Sequence, residues 1–126
     1  VSQGQPKSLK SFRLTAGGWH AKWLNKLTPT KPTWNGANSS AWKKDIVAVN
    51  GFNEQMQYGG LDREMGERMM NNGVRGIQIR YSAICLHLDH KRSYETPETW
   101  AANKAIRDKV RQENLTWAEM GIDKPD

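Results

Sequence analysis

The seven residues Tyr58-Gly59-Gly60-Leu61-Asp62-Arg63-Glu64 hold the densest chemistry in the chain. Two glycines let a backbone turn tightly beside a ligand, and the residues after them present carboxylates where a helix begins. A carboxylate placed there can accept the proton of a hydroxyl as that hydroxyl attacks. The same pattern also reads as a glycine turn followed by acids that suit the positive end of a helix dipole.

A second cluster is His87-x-x-His90 with Asp89 between, where imidazole and carboxylate are ordinary ligands for a divalent metal. His20 is the other histidine and Cys85 the one cysteine, so a closed four-ligand zinc site is not expected. Solvated or structural histidines are the competing reading. The third stretch, Asn35-Gly36-Ala37-Asn38-Ser39-Ser40, is small and polar ahead of a helix. Its N–H and amide groups could meet a sugar or phosphate, or serve as a plain loop and N-cap.

Helices and one strand are expected to position these residues. Residues 6–16 and 19–27 read as two short amphipathic helices, the second with Trp19, Trp23 and Leu27 at i, i+4, i+8. Pro29 and Pro32 keep residues 28–32 from being helical throughout. Asn38 or Ser39 is the expected cap of a helix through Trp42, Ile46 and Val49 that Gly51 ends. A helix from about Leu61 to Asn72 closes at Gly73, with Asp62 and Glu64 in its first turn. Residues 76–88 alternate Ile77, Ile79 and Tyr81 against Gln78, Arg80 and Ser82, the pattern of a strand entering a core and ending at the histidines. Thr96-Pro97-Glu98 caps a last long helix to about Glu113, with Trp100, Ile106 and Val110 inward and Lys104, Arg107, Lys109 and Arg111 outward. A short turn at residues 117–120 closes on Gly121.

A chain of 126 residues fills one core, so a single domain is expected: a helical segment over 1–32, a core over 33–95 and helices over 96–126. Six Trp residues argue against a disordered chain, and a net charge of +6 favours an anionic partner without choosing which. Cys85, in the run Ala83-Ile84-Cys85-Leu86, reads as a buried structural thiol, and one cysteine fits a reducing compartment. No run approaches the roughly 20 apolar residues of a spanning helix, and no apolar signal core opens the chain. The first residue is Val, the expectation for a processed or truncated chain.

In order and spacing, Gly36-Ala37-Asn38-Ser39-Ser40-Ala41-Trp42-Lys43-Lys44-Asp45, Val49-Asn50-Gly51-Phe52-Asn53-Glu54, Tyr58-Gly59-Gly60-Leu61-Asp62-Arg63-Glu64 and His87-x-x-His90 resemble the C-terminal half of family-2 glycosyltransferases and the related β-1,4-galactosyltransferases. The similarity covers about residues 33–95. It implies a hexosyltransferase that inverts the donor's anomeric carbon, with one carboxylate as base and a divalent cation, Mn²⁺ or Mg²⁺, stabilising the departing diphosphate. The implied fold is α/β, a partial GT-A fold of mainly helices with a small mixed sheet. The family's base falls on Asp62 and its ring-stacking aromatic on Tyr58. Glu64 falls where an acid contacts acceptor hydroxyls, and Asn38, Gly59, Gly60 and Arg63 complete the implied substrate-binding set. The metal-contacting histidine falls on His87, with His90 the alternative.

Two residues depart from the pattern: Leu61 stands where an acid precedes the base, and Tyr58 replaces the commoner Trp. No D-x-D occurs, and nothing before residue 33 matches a nucleotide-binding half. The resemblance therefore implies an acceptor-side portion with little transfer activity by itself, taking a UDP-type donor and a glycan or lipid-linked acceptor, as in envelope polysaccharide synthesis. Uncovered apolar faces lead to an expectation of self-association into a homo-oligomer. A cytoplasmic place, with peripheral contact at the inner membrane face, is the matching expectation. The alternative is a basic module binding nucleic acid or a protein partner, which accounts for the charge but for none of the motifs, and no recognisable nucleic-acid-binding pattern accompanies it.

Overall fold

A computed structural model describes residues 18–85 and 96–125, which fall into two units. The expected helix over 6–16 lies outside the described residues, as do His87, Asp89 and His90.

In the first unit, helix α1 (Gly18–Leu27) is followed by an extended stretch through Pro29 and Pro32, as the prolines require. Residues 77–85 lie against it. The Asn25 amide oxygen accepts the Tyr81 N–H at 2.9 Å, and its nitrogen donates to the Ser82 hydroxyl at 2.8 Å. Over the described residues 76–85 the expected strand is not formed. The Ser82 and Ala83 N–H groups both turn back onto the Ile79 carbonyl at 2.9 Å, and Ile77 stands 78% exposed. Alternation satisfies side chains, but a strand also needs a neighbour for its backbone groups, and here Asn25 and a local turn take that role. No strand occurs among the described residues, so the small mixed sheet of the expected α/β fold is corrected to an all-helical arrangement. Cys85, expected in a core, is exposed.

The second unit holds α2 (Lys43–Ala48), α3 (Leu61–Asn71) and α4 (Pro97–Gln112). Val49, Met65 and Met69 form its core, with Trp34, Ala41, Ile46 and Val74 packed around them. Gly66 lets α3 approach Trp34 closely, since a Cβ there would collide with the Trp34 side chain. Helix α2 starts later than its expected cap: Trp42 is the N-cap, without a side-chain bond, while the Ser39 hydroxyl accepts the Asn35 N–H at 2.8 Å. Helix α4 begins as expected, on a Thr96/Thr99 capping box with Pro97 in its first turn.

Two polar systems fix these helices. Glu64 and Arg68, one turn apart on α3, are both fully buried, with Arg68 Nε on Glu64 Oε1 at 2.8 Å and Arg68 Nη2 on Oε2 at 2.7 Å. The same guanidinium donates to the carbonyls of Val49 and Gly51, which leave the end of α2 without helical partners. Between α3 and α4, Glu67 pairs with Arg107 at 2.6 Å and Arg111 at 3.2 Å, and the Asn71 amide donates to the carbonyls of Val110 and Leu115. Arg107 is thus turned toward α3 rather than outward, and Trp100, expected inward, is 43% exposed.

Candidate active site

Asp62 sits in the first turn of α3, and the turn that delivers it could not be built from ordinary residues. Gly59 has φ +111° and Gly60, the N-cap, φ +85°, both in the region L side chains avoid. Space is tight as well: a Cβ on Gly59 would lie 3.3 Å from the Trp100 ring, and one on Gly60 3.3 Å from Arg107 Cδ, so each neighbour would have to give by a few tenths of an ångström.

Helix α4 grips the loop from behind. Asn103 is buried on α4 and its amide nitrogen donates to the carbonyls of Gln57, Tyr58 and Gly59 at 2.9, 3.2 and 2.7 Å. These carbonyls belong to a turn and have no ladder to join, so a buried donor at this place fixes the loop's path. Tyr58 stays 45% exposed at the outer edge of the loop.

On its other side, Asp62 joins the polar loop of residues 35–40. Asp62 Oδ2 accepts the Gly36 N–H at 3.0 Å, and Oδ1 accepts the Arg63 N–H at 2.8 Å. The loop is itself folded by the Asn35 side chain, whose Oδ1 accepts the Ala37 N–H at 3.1 Å, while the Asn35 carbonyl accepts the Asn38 N–H at 3.0 Å. An ionised carboxylate offers about four lone-pair directions, and two N–H groups leave some for an incoming hydroxyl. The half-buried setting of Asp62 lets such a hydroxyl reach it.

Asp62, Gly59, Gly60, Tyr58, Arg63 and the residue 35–40 loop with Asn38 therefore come together around one turn, with Arg63 and Asn38 exposed. Glu64 is placed differently: it is fully enclosed, both its oxygens bond Arg68, and it faces the core. His87 and His90 lie outside the described residues. Among the described residues no group of three or more His, Cys, Asp and Glu could hold a metal ion. No helix among them is long and apolar enough to cross a membrane.

The sequence reading missed Asn103 and Arg68. Each carries a signal in retrospect. Asn103 lies between Trp100 and Ile106 on the face of α4 that turns inward, and Glu64 and Arg68 are spaced i, i+4 in a helix whose other buried residues are Met65, Gly66 and Met69. A polar side chain on an apolar face has to find a partner inside.

No curated protein and no solved structure matches the chain. A family model does: that of the N-terminal domain of galactosyltransferase matches residues 25–91, more than half of the 126. The matched stretch contains the loop of residues 35–40, the double glycine and Asp62, and stops short of α4. By that match the chain belongs to the galactosyltransferase family and carries a glycosyltransferase domain.

Proposed function

We propose that this chain supplies the acceptor-side, catalytic-base portion of an inverting hexosyltransferase of the family-2 kind, which moves a sugar from a UDP-type donor to a glycan or lipid-linked acceptor. The acceptor hydroxyl gives its proton to the Asp62 carboxylate as its oxygen bonds the anomeric carbon. The bond from that carbon to the diphosphate oxygen breaks on the opposite face, and the electron pair leaves with the diphosphate. Tyr58 offers a ring for a sugar to lie against, while Arg63 and Asn38 are exposed donors beside the base. His87, or His90, would hold the Mn²⁺ or Mg²⁺ ion that stabilises the departing diphosphate, with the diphosphate itself supplying further ligands.

The observation that supports this assignment is the bond from Gly36 N–H to Asp62 Oδ2, because it joins two sequence motifs 26 residues apart around one accessible carboxylate. Isothermal titration with UDP and UDP-sugars, with and without Mn²⁺, tests it. Metal-dependent heat is expected to persist in Asp62→Asn, which alters the base but not the donor site, and to vanish in His87→Ala. Equal loss of metal-dependent heat in both variants sinks the separate roles given to Asp62 and His87, whereas no heat under any condition marks the chain as an acceptor-side portion that needs a nucleotide-binding half to hold the donor. Salt-sensitive binding of generic DNA in its place would favour the basic-module alternative.

A further inference from the structure

The wide apolar stripe of α1 points away from its own unit. Trp19, Trp23 and Leu27 are 66%, 56% and 70% exposed, whereas the face turned inward carries the small Ala21, buried, and the polar Asn25, bonded to Tyr81 and Ser82. At helical spacing the three large residues span an arc of about 80°. Lys22 and Lys26 line one side of that arc and His20 the other, where its ring stacks on Trp19 at 3.8 Å.

Charge is segregated in the same direction. Residues 1–44 contain eight Lys and Arg and no Asp or Glu, while the remaining 82 contain eleven and thirteen, so the whole positive excess lies in the first third of the chain. In the described part of the first unit, Lys22, Lys26, Lys31 and Arg80 have no acidic neighbour in sequence within that unit.

We infer that α1 is an interfacial helix that docks the chain on an anionic phospholipid surface, with Trp19, Trp23 and Leu27 inserted at headgroup level and Lys22 and Lys26 on the lipid phosphates. Tryptophan suits this depth because its ring is apolar and its N–H can stay wet. A second copy of this chain fits the stripe poorly, since an isologous contact would bring lysine-flanked, acid-free helices against each other. Nucleic acid accounts for the lysines, and its bases can stack on the Trp rings, but it gives no role to Leu27, the most exposed residue of the stripe at 70%. The inference does not depend on glycosyl transfer and extends it by stating where the chain would meet a lipid-linked acceptor.

Vesicle flotation tests it, using phosphatidylcholine vesicles with and without phosphatidylglycerol. The chain is expected to float with the anionic vesicles, and each of Lys22→Gln and Lys26→Gln to weaken partitioning by about fivefold. Trp23→Glu is expected to abolish it with an unchanged circular dichroism spectrum, because the position is on the surface, while Trp42→Ser, on an exposed position of the other unit, leaves it intact. Equal flotation of the Trp23→Glu variant, or equal binding to neutral vesicles, overturns the inference. Binding to duplex DNA without flotation, or a dimer dissolved by Trp23→Glu without flotation, overturns it as well.

Discussion

Arg68 does two jobs with one guanidinium. It neutralises Glu64 in a place where neither side chain meets solvent, and it supplies donors to Val49 and Gly51 at the end of α2. A buried ion pair is weak evidence of net stability, because desolvation offsets much of the attraction, but removing one member strands the other. Arg68→Met is therefore expected to destabilise the fold by roughly 3–5 kcal/mol in urea unfolding monitored by circular dichroism. The double variant Glu64→Leu, Arg68→Met should recover only part of that, since the Gly51 carbonyl loses its donor at about 1–3 kcal/mol, while the Val49 carbonyl keeps the Ala118 N–H at 3.3 Å. A single-variant cost below about 1 kcal/mol would mean that water replaces the guanidinium. Glu64 thereby belongs to the support of the active turn, and Asp62, two residues earlier, is the acid left at the surface of that turn.

Among the elements, α4 shows how far a sequence can be read and where it stops. Its start was legible because Thr96 and Pro97 act through local chemistry: a hydroxyl accepts the Thr99 N–H at 3.3 Å, and proline needs no donor in the first turn. Its role behind the double glycine was not, because the bonds from Asn103 to residues 57–59 cross more than 40 residues of chain. The strand expected over 76–88 is absent over its described residues, 76–85, for a related reason: alternation is local, whereas pairing is not, and Asn25 takes the Tyr81 N–H. Along the outer edge of α4, Lys104 and then Arg111 hold the Asp108 carboxyl below its ordinary range. The Glu98 carboxyl is also lowered, first by its own backbone N–H and then by the Thr96 side chain. A carboxylate lowered by folding contributes stability that is complete above its unfolded pKa and is lost as pH falls through the folded one. Both groups therefore leave stability flat at neutral pH and subtract from it in acid below about pH 4. Unfolding midpoints for Asp108→Asn should fall below the parent at neutral pH and approach it in acid. A gap that stays constant across that range would show that Asp108 acts by packing rather than by charge.

The two units differ in what holds them. The second has a methionine and valine core, two ion-paired helices and the Asn50 side chain, which ties residues 118–123 back with bonds to Ala118 and Asp123 at 2.6 to 2.8 Å. Gly121 admits that closure, since a Cβ there would collide with the Asn50 carbonyl. In the described part of the first unit Ala21 is the buried apolar residue, and bonds made by Asn25 and Arg80 join its pieces. Opening free energy tracks buried apolar contact, so hydrogen exchange should divide the chain at the same place. Amides of α3 from Met65 onward are expected to exchange slowest, while those of α1 and residues 79–83 exchange several orders of magnitude faster. Self-association, the expectation raised by the uncovered apolar faces, would slow exchange in a concentration-dependent way. Docking on anionic vesicles would instead slow α1 at every protein concentration, so exchange with vesicles present separates the two. Slow exchange of α1 in dilute solution without lipid would show that its outward stripe is already covered, and would remove the reason to seek a membrane for it.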